Sequence, residues 1–200
     1  MPLPEGYTEL EPGRLGAVVT YLEMTALPAC YAEPLEAPSG YAIRLVRTPE
    51  VNWYRDLFRR IGEPWLWFSR LRFNDEELAA KIHNPRVDIF VLSYEGTDVG
   101  LFEIDRDEWP EVELTFFGIT PAHVGKGAGR YLMHHGIREA FRNHPTRFKL
   151  HTCTLDHPGA LPFYLKAGFN AYKRAVEVFQ DPRLSGLMPP NAAPQIPIID

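Results

Sequence analysis

The chain has 200 residues, of which 45% are apolar and 24% are charged, and its formal net charge is −5. This length predicts one domain with short appendages and a core large enough to fold without a disulfide or a structural metal. The mildly acidic balance argues against a nucleic-acid partner, and no apolar run reaches the length that a membrane span needs.

Proline marks off both ends of the chain, because eleven of the 19 prolines lie before residue 39 or after residue 181. We therefore expect an N-terminal extension over residues 1–40 that packs on the domain, the domain itself over 41–180, and a Pro-rich C-terminal tail over 181–200. Residues 15–27 are apolar enough to pack as an added strand or as a helix. The tail is expected to lie extended on the surface or on a partner, since proline removes backbone donors.

The middle of the chain alternates strands and helices. Helices are predicted at Val51–Ile61, at DEELAAKIH after the N-cap residue Asn74, at Gly127–Arg142 and at Pro158–Lys166. Strands are predicted at Tyr41–Val46, Val87–Tyr94, Val99–Ile104, Glu111–Ile119, Phe148–Thr154 and Phe169–Phe179. The fold class is therefore α/β (α+β), with a mixed, mostly antiparallel central sheet of about six or seven strands flanked by helices.

The most informative segment connects the strand Glu111–Ile119 to the next helix and reads GITPAHVGKGAGR from Gly118 to Arg130. Glycines let a ligand approach the backbone closely, and a helix N-terminus offers free N–H groups and a positive dipole that favour phosphate. Lys126 is followed by glycine and not by the Ser or Thr of a Walker A loop, and the GxGxG spacing after a meander differs from the dinucleotide fingerprint. A loop whose glycines only shape the turn is the alternative.

This loop resembles motif A of the GCN5-related N-acetyltransferase (GNAT) superfamily, Arg/Gln-x-x-Gly-x-Gly/Ala. Val124, Gly127 and Gly129 take its three positions, and Val124 departs from the usual Arg or Gln. In that superfamily the motif binds the pyrophosphate of the coenzyme mainly through backbone amides. The valine therefore weakens the sequence match more than it weakens the expected binding.

A second segment, LHTCTLDHPGALPFYLKAGF, resembles motif B of the same superfamily, Asn-x-x-Ala-x-x-x-Tyr followed by Gly-Phe. Ala160 and Tyr164 fit that pattern, while His157 stands in the Asn position. The resemblance spans residues 41–179 and implies a GNAT-like acyl-CoA N-acyltransferase fold with acetyl-CoA as co-substrate.

In such folds the strand that carries motif A splays from its neighbour around a bulge, and its open backbone binds the pantetheine arm. The residues expected to bind the coenzyme are Phe117, Gly118, Ile119, Val124, Gly125, Lys126, Gly127, Ala128, Gly129, Arg130 and His157.

Two side chains are candidates for catalysis. Tyr164 matches the family tyrosine, which implies proton donation to the leaving thiolate; the alternative is a packed tyrosine whose hydroxyl is hydrogen-bonded. Glu113 is the candidate base, because strand alternation sets Glu113, Thr115 and Phe117 on one face and Val112, Leu114 and Phe116 on the other. The alternative to a catalytic base, weighted equally, is an ordinary glutamate that a strand exposes to solvent.

Trp65 and Trp67 are candidates for the acceptor pocket, although core packing is the commoner use of tryptophan. No metal site is expected, since His134 and His135 are adjacent on a helix and point apart. Cys153 has no evident activating base and is interpreted as a small buried hydrophobe.

The function inferred is therefore an N-acetyltransferase that moves an acetyl group from acetyl-CoA to an amine in a ternary complex. The alternatives are a non-catalytic acyl-CoA-binding module and, third, a nucleotide-dependent oxidoreductase. The expected partner is a small-molecule or peptide amine, with no nucleic acid and no membrane; a homodimer, with the tail crossing to a second subunit, stays open. The absence of a signal-peptide pattern and of paired cysteines predicts a cytoplasmic protein.

Overall fold

Seven strands form a single mixed sheet in the structure, a computed structural model that describes residues 5–200. In chain order the strands are β1 (Arg14–Met24), β2 (Tyr41–Val46), β3 (Val87–Tyr94), β4 (Thr97–Asp105), β5 (Glu111–Ile119), β6 (Arg147–Cys153) and β7 (Asn170–Gln180). Their spatial order is β2-β3-β4-β5-β6-β1-β7, and all neighbours are antiparallel except β5 and β6. The predicted mixed, mostly antiparallel sheet is confirmed.

Among the described residues four α-helices flank the sheet, and they are α1 (Val51–Gly62), α2 (Asp75–Ile82), α3 (Ala128–Ala140) and α4 (Ala160–Lys166). The predicted N-cap of α2 is confirmed: the Asn74 side chain accepts from the Glu77 N–H at 2.9 Å, and Glu77 accepts in return from the Asn74 N–H at 3.0 Å. Helix α4 begins at Ala160 and not at Pro158 as predicted. Within residues 5–200, no helix is both long enough and apolar enough to cross a bilayer.

The apolar segment near the N-terminus forms β1, a central strand of the sheet. It pairs antiparallel with β6 on one side and with β7 on the other. Leu22 and Met24 are buried in the core formed with α3 and α4. Of the two alternatives that the sequence left open for this segment, the strand is correct, and among residues 5–200 β1 is the one strand that joins β7 to the sheet.

Two hydrophobic cores lie on opposite faces of the sheet. The first packs α3 and α4 against the sheet, and the second packs α1 and α2 together with part of the C-terminal tail. Met188, Ala192 and Ala193 of the tail are buried in the second core, so the expectation of a surface arm is wrong.

The tail can be buried without helix or strand because backbone hydrogen bonds in turns and one buried side chain satisfy its carbonyl groups. The buried Arg183 guanidinium donates to the carbonyl oxygens of Ala192 (3.1 Å) and Ile196 (2.8 Å) and pairs with Asp181 at 2.6 Å. Buried carbonyls need such partners, and proline-rich backbone cannot find them in a ladder.

Strand β5 carries a bulge at its centre. The β4–β5 register jumps so that Glu103 lies opposite Phe116 and Ile104 opposite Leu114, which leaves Thr115 as the extra residue. A bulge inserts one residue and breaks the alternation of faces.

The bulge overturns the predicted faces of β5. Val112 and Leu114 point into the first core, and Phe117 packs against the same core, while Phe116 packs into the second. The alternation predicted Phe116 with Val112 and Phe117 with Glu113. That prediction is wrong beyond Leu114, because the inserted residue shifts every later side chain to the opposite face.

Strands β5 and β6 separate soon after they meet. Their parallel pairing is confined to Glu111–Glu113 against Arg147–Lys149. Past these residues the two strands diverge, so that within the described part of the chain the C-terminal half of β5 has no strand paired with it on that side. The splay is the one that the family resemblance implied.

Candidate active site

The gap between β5 and β6 opens into a cavity of about 840 Å³. Its walls come from the C-terminal half of β5, the glycine loop (residues 120–130), the β6–α4 connection, β7, and the segment after α1, here called the wall segment (residues 63–72). The cavity therefore extends along both sides of the splayed strand.

The glycine loop is shaped by its backbone. Gly125 and Gly127 have φ of +80° and +82°, and no atom lies within 4 Å of the position a Cβ would take at either. The N-cap of α3 is Gly127 itself, which provides no side-chain cap. Between Val124 and Tyr131, no loop amide donates to backbone within residues 5–200. These free amides and the open space fit a diphosphate.

Most of the residues predicted for the coenzyme line the cavity. Those that do so are Phe117, Gly118, Ile119, Val124, Gly125, Gly127, Gly129, Arg130 and His157. Lys126 is exposed outside the lining, and the Ala128 side chain is fully buried in the first core, so that Ala128 can offer only its amide.

The loop is anchored by a side chain that precedes its glycines. The His123 Nδ1 lies 2.7 Å from the Tyr41 hydroxyl, and the His123 ring also packs against Tyr94. Strand β2 thus fixes the start of the loop.

Tyr164 lies on α4 at the floor of the cavity, with 8% of its surface exposed. Its ring packs among Phe117, Phe163 and Phe169. Burial raises the pKa of the phenol, and the Asp156 charge adds to the rise, with no hydrogen bond contributing. The hydroxyl is therefore protonated and available as a donor, unlike the hydrogen-bonded tyrosine of the alternative interpretation.

Asp156, which the sequence analysis did not single out, connects the two sides of the gap. Its carboxylate accepts from the Thr152 hydroxyl at 2.7 Å and the Cys153 N–H at 2.9 Å, and from the Trp67 indole N–H at 3.2 Å. The β6–α4 connection is thereby joined to the wall segment. Its position just before His157 in motif B was the only signal in the sequence.

Trp65 and Trp67 are half-buried and line the cavity. The Trp65 ring packs edge-on against His157, with ring centroids 5.0 Å apart, and the His157 Nδ1 accepts from the Gly159 N–H at 2.9 Å. Trp67 also belongs to the second core. Trp67 thus combines the two roles that the sequence offered as alternatives, since it packs in the core and forms the cavity wall, whereas Trp65 lines the cavity against His157 and belongs to neither core.

Gly118 is required by the fit of the wall segment against β5. A Cβ at this position would overlap Ile61 and come within 3.0 Å of the Trp67 ring. Side chains at residue 118 would therefore push the tryptophan away from the splayed strand.

A buried polar cluster lies under the bulge. Glu103, with no exposed surface, accepts from the Tyr54 hydroxyl at 2.6 Å and the Thr115 hydroxyl at 2.9 Å and pairs with Arg70 of the wall segment. The Arg70 guanidinium also lies 4.9 Å from the centre of the Phe116 ring. Because Thr115 is the inserted residue, the cluster fixes the bulge and the wall segment together.

The charges of this cluster shift its proton equilibria. Burial, followed by the charge of Glu103, raises the pKa of the Tyr54 phenol well above its usual range. Burial alone would lower the pKa of Arg70, but the Glu103 carboxylate outweighs it and the pKa is raised. A glutamate within the apolar run VGLFEI was the signal for a buried, paired carboxylate.

Glu113 does not line the cavity, but its neighbour His151 does. The Glu113 Oε1 lies 3.8 Å from the His151 Nδ1. Burial raises the pKa of the Glu113 carboxyl, while the charges of His151 and Lys149 oppose the rise. A histidine backed by a carboxylate therefore faces the cavity, and His151 was not among the predicted residues.

Cys153 lines the cavity as well, and burial raises the pKa of its thiol to about 11. The thiol is thus protonated near neutral pH and is a poor nucleophile. Among residues 5–200, no three His, Cys, Asp or Glu side chains are grouped so that they could hold a metal ion.

Solved structures with the same fold are found at low sequence identity. A functionally unknown protein from Staphylococcus epidermidis matches with a TM-score of 0.57 and 16% identity over 84% of this chain. A GCN5-related N-acetyltransferase from Sphaerobacter thermophilus matches with a TM-score of 0.54 and 16% identity over 85%. The ribosomal-protein-S18-alanine N-acetyltransferase from Escherichia coli matches with a TM-score of 0.55 and 16% identity over 70% of this chain and 94% of its own.

At these identities the matches establish the fold alone. This chain spans 63% of the Staphylococcus protein and 52% of the Sphaerobacter protein. A comparison with curated protein sequences finds no match.

The sequence also matches the family model described as acetyltransferase (GNAT) family over residues 51–169, which is more than half of the chain. That match covers both motifs and the splayed strand between the two walls of the cavity. The chain belongs to the GNAT family of acetyltransferases.

Proposed function

We propose that the protein is an acetyl-CoA-dependent N-acetyltransferase that transfers the acetyl group directly to an amine in a ternary complex. The observation that carries the proposal is a single cavity that joins the glycine loop to the aromatic wall segment past Tyr164. Donor and acceptor can share this space, and the one thiol in its lining is protonated near neutral pH, which favours direct transfer over a covalent enzyme intermediate.

The backbone of this chain provides the coenzyme contacts. The amides of residues 125–130, which have no backbone partner among residues 5–200, would bind a diphosphate at the start of α3 together with the Arg130 charge. The N–H and C=O groups of Phe117 and Ile119 point away from β4, on the side where β6 has diverged, and would pair with the pantetheine amides. One of these N–H groups would also donate to the thioester carbonyl oxygen.

Acetyl-CoA supplies a thioester whose acetyl group passes to the amine as a C–N bond replaces the C–S bond. Tyr164 donates a hydrogen bond to the sulfur as negative charge develops there. The raised pKa of its phenol lies above that of a thiol, so Tyr164 keeps its proton and stabilises the leaving group without transferring the proton completely.

The amine must lose a proton before or during attack, since an alkylammonium has a pKa of about 10.4. We propose that His151 accepts this proton, directly or through water, with Glu113 behind it to stabilise the imidazolium. If so, His151→Gln loses most activity at every pH of a kcat profile, and Glu113→Gln loses a smaller part because the imidazolium no longer has a carboxylate behind it. Full activity of His151→Gln with an unchanged profile would exclude it as the base.

The proposal is tested by calorimetric titration with acetyl-CoA, followed by an assay of free-thiol release over a panel of amines, with NAD as the control ligand. Binding with amine-dependent thiol release is expected. Binding without turnover on any amine would favour the non-catalytic acyl-CoA-binding module. Absence of binding at millimolar acetyl-CoA would reject both.

A further inference from the structure

Strand β7 is a long, open edge of the sheet. It has 11 residues, and within residues 5–200 only β1 pairs with it. Val176 and Val178 are 48% and 43% exposed. The opposite edge, β2, has only six residues. Long exposed edges with apolar side chains are templates for pairing with another strand.

The β1 contacts identify the free backbone groups of β7. At its end, the Asp181 N–H donates to the Gly13 carbonyl at 2.9 Å, while on the other side of β1 the Thr154 N–H donates to the Val18 carbonyl at 3.1 Å. Hydrogen-bonded residues alternate along an antiparallel pair. The odd-numbered residues 173–179 therefore bond to β1, and the even-numbered residues 174–180 direct their N–H and C=O groups outward.

We propose that β7 pairs antiparallel with β7 of a second copy of this chain, about a two-fold axis through Ala175. The outward N–H and C=O groups of one β7 strand must meet those of the other, so even-numbered residues pair with even-numbered residues. In a symmetric antiparallel pair of this kind, the two-fold axis passes through a residue and not between two residues. With the axis at Ala175, Arg174 lies opposite Val176 of the second copy, and Lys173 lies opposite Glu177.

Charge selects this register from its neighbours. The axis at Ala175 sets Lys173 against Glu177 twice, in the pairs without mutual backbone hydrogen bonds, where side chains are closest. An axis at Arg174 would oppose two arginines, and an axis at Glu177 would oppose two glutamates. An axis at Val176 forms no ion pair.

Both charged side chains are free to make these pairs. Within residues 5–200 neither Lys173 nor Glu177 forms a salt bridge, and the Lys173 Nζ rests 4.6 Å from the centre of the Tyr21 ring. Glu177 is exposed on the neighbouring stretch of the same strand. Pairing across the two-fold axis would give each charge an opposite partner.

The apolar side chains of the edge support the same partner. Val176 and Val178 share one face with Val18 of β1, which lies opposite Val176 and is 44% exposed. A two-fold axis perpendicular to the sheet places the same face of both copies on the same side of the joined sheet. The valines of the two copies would therefore form one continuous apolar band. On the other face, Glu177 and Phe179 line the cavity, so the seam would run along its outer wall.

The test uses the full chain in sedimentation equilibrium over a concentration series. We expect the wild-type protein to form dimers. Lys173→Glu sets glutamate against glutamate, and Glu177→Lys sets lysine against lysine, so each variant alone is expected to raise the dimer Kd at least about tenfold. Lys166→Glu, on the exposed end of α4, makes the same charge change away from the edge and is the matched control.

A mixture of the two variants is the decisive experiment. Lys173→Glu in one copy faces Glu177→Lys in the other, and the two unchanged residues also face each other, so the mixture forms a heterodimer at wild-type affinity. This rescue also shows that both variants are folded. A monomeric wild-type chain, dimers that neither variant weakens, or a mixture that stays monomeric would each overturn the proposal.

Discussion

The glycine loop and the wall segment border the same cavity but are held in place by different physics. The loop takes its shape from left-handed glycines and a helix that begins without a side-chain cap. The wall segment is fixed by side chains: Trp67 donates to Asp156, and Arg70 pairs with the buried Glu103. Beyond His123, which Tyr41 anchors, the loop is thus set by backbone conformation, whereas the wall segment depends along its length on partners far away in sequence.

This contrast predicts which changes damage stability and which damage binding. Changes in the wall segment remove partners of buried groups and so destabilise the fold. Changes at Gly125 and Gly127 of the glycine loop, which have open space around them, leave the core intact and act on the ligand.

The largest effect is expected for Arg70→Met, which leaves the Glu103 carboxylate buried without its cation. Breaking one side of a buried ion pair costs about 3–5 kcal/mol of unfolding free energy. Urea unfolding measures the loss. Arg72→Met, an exposed neighbour in the wall segment that lies over the Phe68 ring, is the control and should change stability by less than about 0.5 kcal/mol. Equal losses in both variants would refute the role assigned to the buried cluster.

Tyr164→Phe keeps the ring packing and removes the phenol hydroxyl from the cavity lining. We expect kcat to fall about 100-fold, as for the loss of other hydrogen bonds to developing charge, with the Kd for acetyl-CoA unchanged. Tyr131→Phe, a partly buried tyrosine on α3 outside the cavity lining, is the control for deleting a hydroxyl. A kcat equal to that of the wild type would remove Tyr164 from the mechanism.

Gly127→Ala and Gly186→Ala form a matched pair, since φ is +82° at one and +73° at the other and both have open space around them. Alanine in this region costs about 1–2 kcal/mol of strain at either position. Only Gly127→Ala is expected to weaken acetyl-CoA binding, by about tenfold, because only its strain moves the loop amides. Calorimetry of both variants decides the point: similar affinities would mean that the loop does not bind the coenzyme.

The smallest effect concerns the two thiols. Because the pKa of Cys153 is raised to about 11, its thiolate fraction at pH 8 is about one thousandth, and alkylation should speed up about tenfold per pH unit up to that pKa. Cys30 is exposed and should react first at pH 8. Intact-mass spectrometry after iodoacetamide treatment follows both, with Cys30→Ser to isolate the slow site. Faster labelling of Cys153 would contradict its burial.

The same contrast explains what the sequence could predict. Turn glycines, the Asn74 cap and the strands of the meander are local signals, and the structure confirms them. The bulge at Thr115 left no local signal, so the faces of Phe116 and Phe117 were predicted wrongly. The bulge depends on a carboxylate in the neighbouring strand.

Residues that act through distant partners were also missed. Asp156 meets Trp67, and His151 meets Glu113, across sequence separations that a single sequence does not connect. For the tail, the proline content predicted the absence of helix and strand. It gave no sign of Arg183, whose guanidinium binds the carbonyls of that segment.

The position of β1 between β6 and β7 has a consequence for how the polypeptide reaches its native state. Residue 14 pairs with residue 180, so a segment synthesised early must wait for strands that leave the ribosome much later. Contacts of such long range close large loops and slow folding. Until β6 and β7 emerge, the backbone groups of β1 are unpaired and its apolar side chains are exposed, so this segment can associate wrongly. We therefore expect chaperones to bind the nascent chain there.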